Sequence, residues 1–190
     1  MTESAQDPGS KAALRGRLSS ARRELAAEIR EEEASALVKW VATLDAPVVC
    51  CYLPVGAEPG SVAMVDAIRA RVLLPVVTGA APLDWAEYAG EASLVPGPHG
   101  LREPGGPRLG PDAIGLADVI LIPALAIDRR GVRLGRGAGH YDRSLPKARA
   151  DAVLIGLVRD DELLEHLPDE PHDVRMTATL TPRLGIQRIP

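Results

Sequence analysis

Short, continuous apolar runs are the feature that most constrains how this chain of 190 residues can fold. The strongest, ADVILIPALAID, covers residues 117–128, and similar runs cover 47–54, 72–77 and 151–158. Runs without polar alternation are typical of strands that are buried on both faces of a sheet. Segments with helical spacing of apolar residues lie between and before them, as in 11–44. The alternation of the two patterns predicts an α/β domain with a mostly parallel sheet.

Weaker patterns predict the remaining elements. The segment 11–44 is long enough for two helices, and we place the break between them near 31–34. Ser61 suits the N-cap of a helix over 62–71, because its hydroxyl can accept a backbone N–H of the first turn. The Pro- and Gly-rich stretch 95–111 predicts a long loop, a feature that is often functional in a compact domain. The other predicted elements are strands over 82–89 and 176–181, a short helical stretch ending near 150 and a short helix over 161–167.

Length and charge limit the class of protein and of partner. The length favours one domain, which we place over 11–190 behind a disordered leader at 1–10. A net charge of -4 argues against general nucleic-acid binding, which needs a basic face. No apolar run approaches the roughly 18 residues of a membrane span, and the polar N-terminus lacks the apolar stretch of a signal peptide. We therefore expect a cytoplasmic monomer that binds small molecules, and neither nucleic acid nor membranes.

The two cysteines, Cys50 and Cys51, are neighbours within an apolar run. Adjacent residues of a strand point to opposite faces of the sheet, which is incompatible with a disulfide between them. The sequence therefore predicts two reduced thiols in the core.

A glycine- and arginine-rich segment, GVRLGRGAGHYDR at 131–143, follows the strongest predicted strand. It has neither the GK[ST] ending of a Walker loop nor the GxGxxG spacing of a dinucleotide fold. Gly135, Gly137 and Gly139 alternate, so the backbone can adopt positive φ and approach a ligand closely. Open α/β sheets bind ligands at the carboxyl ends of their strands, and this position therefore favours a binding loop.

The charges of this segment favour a phosphate ligand. Arg133, Arg136 and Arg143 supply positive charge for a polyphosphate. Asp142 could hold a metal, since Mg²⁺ is bound in proteins by a few carboxylates together with substrate phosphates and water. The alternative is a flexible turn with solvated arginines, because glycine-rich loops are common. The strand–loop–helix context favours the phosphate interpretation.

The stretch LIPALAIDRRGVRLGRGAGHYDR, residues 121–143, resembles the signature of the 5-formyltetrahydrofolate cyclo-ligase family, also called 5,10-methenyltetrahydrofolate synthetase. Other family features occur in order along nearly the whole chain: Lys11 and Arg15, YLPVGAEP at 52–59, EP at 103–104 and HD at 172–173. The resemblance implies a single three-layer Rossmann-like α/β sandwich with a mostly parallel sheet (NagB/RpiA/CoA-transferase-like).

The resemblance also implies an activity. Members of the family use ATP as co-substrate and Mg²⁺ as cofactor to convert 5-formyltetrahydrofolate to 5,10-methenyltetrahydrofolate, with release of ADP and phosphate. The formyl oxygen attacks the γ-phosphate, N10 of the folate then closes the ring on the activated carbon, and phosphate leaves. Such phosphoryl transfer depends on positioning and charge neutralisation more than on a side-chain nucleophile. This fits a sequence that shows no Ser/His/Asp or Cys/His constellation.

The family's functional positions carry over to this chain as the resemblance implies. The matched ATP-binding positions are Lys11, Arg15, Arg133, Leu134, Gly135, Arg136, Gly137, Ala138, Gly139, His140 and Tyr141. The folate-binding positions are Leu53, Glu58, Trp85, Arg136, Gly137, Ala138, Gly139 and His140. Arg133, His140 and Tyr141 are assigned to catalysis, and Asp142 and Asp173 to Mg²⁺.

Several of these residues also have a purely structural interpretation. Lys11 and Arg15 would commonly form a solvated helix face, and Tyr141 and Trp85 could pack in the core. Asp142 could be a helix cap. Glu58 could be a carboxylate of the turn, but it also suits the pterin, because a carboxylate can accept two N–H bonds from a guanidine-like edge.

The chain departs from the usual family pattern at two positions. His140 stands where members usually have the first tyrosine of YYD, and Ala138 stands where some have lysine. Imidazole titrates near neutral pH, so we expect activity to persist with altered substrate affinity or pH dependence. The main alternative is a diverged member that binds nucleotide or folate without turnover. A different α/β phosphate-binding enzyme, such as a sugar-phosphate isomerase of related topology, or a structural module would explain fewer of the matched residues.

Overall fold

The computed structural model describes residues 9–171 and 173–190. Its helices are α1 Lys11–Glu24, α2 Ala27–Val41, α3 Val62–Asp66 and α4 His140–Ser144. Its strands are β1 Val48–Cys50, β2 Arg71–Val76, β3 Asp84–Glu87, β4 Leu94–Pro96, β5 Arg102–Pro104, β6 Val119–Pro123, β7 Ala126–Asp128, β8 Arg133–Leu134, β9 Val153–Leu157, β10 Leu163–Leu164, β11 Ala178–Thr181 and β12 Gly185–Arg188.

A seven-stranded sheet in the order β12-β11-β9-β6-β1-β2-β3 forms the centre of the molecule. Its five inner strands are all parallel, and only the edge strands β3 and β12 run antiparallel to their neighbours. The α/β fold with a mostly parallel sheet is therefore confirmed. The chain order turns back between β1 and β6, so the carboxyl ends of these two strands form a topological switch point, where such sheets bind ligands.

Both faces of this sheet are covered by apolar clusters, as continuous apolar strands require. The adjacent cysteines show the alternation directly: Cys51 lies in one cluster and Cys50 in the other. Both thiols are free and buried, so the prediction of reduced core cysteines is confirmed. Burial raises the pKa of Cys51 to about 12, which keeps this thiol protonated and unreactive at neutral pH.

The helical segment at the start of the chain breaks earlier than predicted. The break lies at Leu25 and Ala26, both in extended conformation, and the predicted break at 31–34 is wrong because this stretch continues within α2. Ser10 caps α1, with its Oγ accepting the backbone N–H of Ala13 at 3.2 Å. Most of the predicted leader, residues 1–8, lies outside the described residues.

The strongest apolar run forms two strands rather than one. β6 belongs to the large sheet, whereas β7 continues after Ala124 and Leu125 into a small sheet of order β10-β7-β8. Helix α1 packs on this small sheet through Leu14, in a cluster that also holds Leu125 and Leu134. The small sheet thus places α1 beside the glycine-rich segment.

Several other elements differ from their predictions because strands pair with segments that are distant in the sequence. The predicted helix over 161–167 is wrong: a 3₁₀ turn at Asp160–Glu162 leads into β10, because Leu163 and Leu164 pair with β7. The predicted loop at 95–111 contains part of the β4–β5 hairpin. The helix over 62–71 ends at Asp66, ahead of β2, and β12 was not predicted. Within the described residues, no helix is long and apolar enough to cross a membrane.

Candidate active site

A cavity of about 510 Å³ opens at the switch point of the sheet, a volume typical of small-molecule sites. Its walls are the residues after β1, the ends of β2 and β6, one face of α1 and the segment from Arg133 to Asp142. The structure brings nearly every site residue predicted from the sequence into this one cavity: Lys11, Arg15, Leu53, Glu58, Arg133, Leu134, Gly135, Arg136, Gly137, Ala138, Gly139, His140, Tyr141, Asp142 and Asp173.

Trp85 is the predicted site residue that the cavity does not include. It lies on β3 opposite Pro75 of β2, has no exposed surface, and shares a buried cluster with Leu73 and Ile114. The pairing of β3 with the sheet therefore places the indole in the core, and its interpretation as a folate contact is corrected to core packing. Glu103, of the EP motif, is also structural: its Oε1 accepts the backbone N–H of Val77 at 3.0 Å.

The glycine-rich loop leaves β8 and returns into α4 at His140. Gly137 has φ 101° and Gly139 has φ 70°, conformations that side chains rarely adopt, so these two glycines make the tight path possible. The Nε of Arg15 donates to the carbonyl of Gly135 at 2.9 Å. Helix α1 is thereby connected directly to the loop that borders the cavity.

Lys11 and Arg15 lie one turn apart on α1 and face the same cavity. The Nζ of Lys11 donates to Asp173 at 3.1 Å and to Glu170 at 3.2 Å. Burial lowers the pKa of Lys11, but the hydrogen bonds to these carboxylates outweigh it and raise the pKa above its usual value. The ammonium group therefore stays charged at the cavity wall.

Arg133 brings two further site residues together. Its Nη2 donates to Oδ1 of Asp142, and its guanidinium lies 5.8 Å from the ring centre of Tyr141. The Arg133 side chain is only 7% exposed, so its charge acts in a largely desolvated environment. The Tyr141 hydroxyl is buried and has no hydrogen-bond partner among the described residues. Burial raises the pKa of Tyr141, which keeps this hydroxyl protonated.

Glu58 lies in the turn after β1 and borders the same cavity. Its Oε2 accepts the backbone N–H of Val55 at 2.9 Å, and its Oε1 is 3.4 Å from Nη1 of Arg136. Burial raises the pKa of Glu58, opposed by the Val55 hydrogen bond and by nearby arginines. A buried carboxylate with capacity to accept further N–H bonds is suited to a ligand with adjacent donors.

Sequence reasoning missed Arg22, which lies in the cavity wall although its side chain is only 3% exposed. Its Nε and Nη2 donate to Glu162 at 2.6 and 2.7 Å, and Nη2 also donates to the carbonyl of Ala124 at 2.6 Å. The available signal was its spacing, since Arg22 follows Arg15 by two helical turns and so shares its face of α1. Tyr52, directly after β1, is a second cavity residue that the sequence did not single out.

His140 is expected to be neutral near pH 7. Its burial and then the charge of Arg143 lower its pKa from 6.5, and Nη2 of Arg143 lies 3.3 Å from its Nδ1. The unfolded chain therefore binds this proton more tightly, so protonation favours unfolding and stability falls as the pH drops below about 6.5. The pKa of His140, and the pH dependence that follows from it, therefore lie lower than the near-neutral range suggested by the sequence.

Exchange of His140 for tyrosine tests this assignment. The His140→Tyr variant should match the pH profile of the wild type above about pH 7 and lose less stability below about pH 6. Unfolding midpoints and kcat/KM measured across that range are the readouts. Wild-type and variant curves that stay parallel to about pH 5 would contradict it.

Comparison with known proteins supports the similarity over nearly the whole chain. The model of the 5-formyltetrahydrofolate cyclo-ligase family matches residues 7–182. A 5-formyltetrahydrofolate cyclo-ligase from Mycolicibacterium smegmatis is 52% identical, over 94% of this chain and 97% of the relative. The enzyme of that name from Escherichia coli K12 is 29% identical, over 82% of this chain and 88% of the relative.

Solved structures agree with this relationship. The NMR structure of Aquifex aeolicus 5,10-methenyltetrahydrofolate synthetase superposes with a TM-score of 0.80 and 25% identity, over 94% of this chain and 92% of that one. A Mycoplasma pneumoniae 5,10-methenyltetrahydrofolate synthetase, 21% identical, shares the fold with a TM-score of 0.69, over 90% and 97% of the two chains. Together with the family match along nearly its full length, these similarities establish that the chain belongs to the 5-formyltetrahydrofolate cyclo-ligase family.

Proposed function

We propose that this protein converts 5-formyltetrahydrofolate and ATP to 5,10-methenyltetrahydrofolate, ADP and phosphate. The observation that carries the proposal is a single cavity that joins two kinds of recognition. One wall presents Lys11, Arg15 and Arg133 with the glycine-rich loop, and another presents the buried carboxylate of Glu58. The reaction requires this combination, because a triphosphate must meet a neutral heterocycle with N–H donors in one place.

The basic wall suits the triphosphate of ATP. Arg133 and Lys11 are held by carboxylates at the cavity border, and Arg15 is held by the loop carbonyl of Gly135. Fixed cations lose little conformational entropy when they bind a phosphate, and they neutralise charge without reorganisation. The backbone from Gly135 to Gly139 adds a surface that a phosphate can approach closely.

The part of the cavity around Glu58 suits the pterin of the folate. Glu58 can accept the two parallel N–H groups of the guanidine-like edge, and Leu53 offers an apolar contact beside it. Trp85 plays no part in this wall because it lies in the core.

The proposed chemistry activates a poor electrophile. The formyl oxygen attacks the γ-phosphorus, the bond from this phosphorus to the β–γ bridging oxygen breaks, and ADP leaves. N10 then attacks the activated formyl carbon, its proton is lost, and phosphate departs with the former formyl oxygen. Arg133 neutralises charge on the transferred group, and the ring of Tyr141 lies against its guanidinium. The cavity walls position the two substrates for the reaction.

Asp142 and Asp173 are the proposed ligands of Mg²⁺. Both border the phosphate wall, and the described residues contain no cluster of three metal-binding side chains. Two carboxylates without a complete protein cage fit Mg²⁺, which usually combines one or two carboxylates with phosphates and water. When bound, the ion would neutralise charge on the phosphates.

Replacement of Asp142 by asparagine tests the metal assignment. The variant should need at least about tenfold more Mg²⁺ for half-maximal activity, because one anionic ligand is lost. Asp112→Asn is the control, since Asp112 is 84% exposed, pairs with Lys147 and lies outside the cavity. A lower maximal rate with an unchanged Mg²⁺ requirement would instead assign Asp142 to positioning Arg133.

The function is tested by mixing the protein with 5-formyltetrahydrofolate, ATP and Mg²⁺ and following methenyl absorbance together with ADP. Equal amounts of both products are expected, with none when any component is omitted. Folded protein that binds both substrates without product would support the alternative of a diverged member. A cytoplasmic location and a monomeric state accompany the proposal as predictions from sequence.

A further inference from the structure

Arg22 uses only part of its hydrogen-bonding capacity within the protein. A guanidinium has five N–H donors. The single N–H of Nε and the two of Nη2 are taken by Glu162 and the carbonyl of Ala124. Nη1 makes no hydrogen bond within the described part of the chain, and the residue borders the main cavity. A side chain only 3% exposed thus leaves two donors for whatever occupies the cavity.

The surroundings of Arg22 indicate which group these donors meet. Arg22 is close enough to Glu58 and Tyr52 for its charge to act on the pKa of both side chains. Its own charge is compensated by Glu162, and both partners are about 3% exposed. Because Glu162 already compensates the charge of Arg22 in a buried pair, Nη1 can donate to a neutral carbonyl acceptor without leaving an unpaired buried charge.

We propose that Arg22 is a specificity-determining residue that donates from Nη1 to the 4-oxo group of the pterin while Glu58 accepts from its two neighbouring N–H groups. The pterin edge presents two donors followed by one acceptor. Glu58 supplies the acceptors and Arg22 the donor, in the same cavity. This inference rests on the proposed function, in which the pterin lies at Glu58. It extends that function to Arg22, a residue of α1 that also lines the cavity.

The pairing with Glu162 gives Arg22 its fixed orientation. Glu162 is itself oriented, since its Oε2 also accepts the backbone N–H of Arg159 at 2.8 Å. A bidentate guanidinium–carboxylate pair fixes the plane of both groups, which leaves Nη1 with one direction in which to donate. Lysine cannot reproduce this, because its ammonium is a point charge without the planar fork.

The test compares two ligands on the wild type and on Arg22→Lys. The first is 5-formyltetrahydrofolate, and the second is its 4-amino analogue, in which an amine replaces the 4-oxo acceptor and N3 no longer carries a hydrogen. Because the analogue is changed at the Glu58 contact too, the effect of Arg22→Lys is compared within each ligand. Arg22→Lys should weaken binding of the 4-oxo ligand about tenfold or more and change binding of the 4-amino analogue less than about threefold. Equal weakening of both ligands, or no change in either, would overturn the inference.

The matched control is Arg159→Lys, since the backbone N–H of Arg159 is bonded to the same Glu162. Arg159 pairs with Glu33 at 3.0 Å and lies outside the main cavity, so the ratio of the two dissociation constants should stay at the wild-type value. If a variant contains less folded protein, both dissociation constants change by the same factor and their ratio is unaffected. A change in Arg159→Lys as large as in Arg22→Lys would overturn the specific role of Arg22.

A second measurement needs no variant. The Arg22 side chain is only 3% exposed, so its guanidinium protons should exchange slowly and be visible by ¹⁵N NMR in the wild type. The 4-oxo ligand should shift the Nη signals and the 4-amino analogue should not; signals unchanged by the 4-oxo ligand would overturn the proposal. Neither measurement requires ATP or turnover. An inactive protein can therefore be distinguished from a protein in which Arg22 does not contact the pterin.

Discussion

Replacement of Arg133 by methionine should lower kcat/KM about 1,000-fold, the scale on which a single arginine stabilises a phosphoryl-transfer transition state. Three features of Arg133 support an effect of this size: its side chain is nearly buried, it is fixed by Asp142, and it lies over the ring of Tyr141. A fixed charge in a desolvated site stabilises transferred phosphate more than a solvated charge does. Methionine retains much of the packing volume and removes the charge.

The rates of ADP and methenyl formation, measured against both substrates, provide the test. Arg129→Met is the control, since Arg129 is 71% exposed and pairs with Glu165 at the surface. We expect its activity to remain within about twofold of the wild type. A less than about tenfold loss in Arg133→Met, with the variant folded, would remove Arg133 from the phosphoryl-transfer machinery.

Replacement of Glu162 by leucine should destabilise the protein by about 3–5 kcal/mol, the cost of leaving one member of a buried ion pair without its partner. Arg22 would then keep only the Ala124 carbonyl as partner among its present contacts. The loss would also release the 3₁₀ turn after β9, because Glu162 accepts the backbone N–H of Arg159. The change in the free energy of unfolding is measured by denaturant unfolding, from the shift in the midpoint when the m-value is unchanged.

The neighbouring Asp161 is the natural control for this substitution. Its carboxylate is 66% exposed and forms a surface pair with Arg159 at 3.4 Å. Asp161→Leu should therefore change stability by less than about 1 kcal/mol. If Glu162→Leu and Asp161→Leu were equally mild, the buried pair would contribute specificity rather than stability.

The sequence predicted the parts of this protein that depend on local pattern. Continuous apolar runs indicated the parallel strands β1, β6 and β9, and their position indicated that the glycine-rich segment would border the ligand cavity. Helical spacing placed Lys11 and Arg15 on one face, and the structure turns that face to the cavity. The roles of individual residues came from the family resemblance, since spacing alone does not distinguish ATP from another phosphate.

The parts that the sequence did not predict depend on contacts between distant segments. Leu163 forms a strand because β7 is beside it, although the local pattern is helical. Trp85 is buried because β3 pairs with β2 at the edge of the sheet, and nothing within 82–89 indicates which of its side chains face the core. Arg22 and Glu162 are 140 positions apart in sequence, so no motif connects them.

The most direct test of the account follows the formyl oxygen itself. 5-Formyltetrahydrofolate labelled with oxygen-18 in the formyl group is turned over with ATP and Mg²⁺, and the released phosphate is analysed by mass spectrometry. The account predicts one labelled oxygen in each phosphate, because the formyl oxygen attacks the γ-phosphorus and leaves with it. Unlabelled phosphate, with methenyl product still formed, would contradict phosphorylation of the formyl oxygen in this cavity.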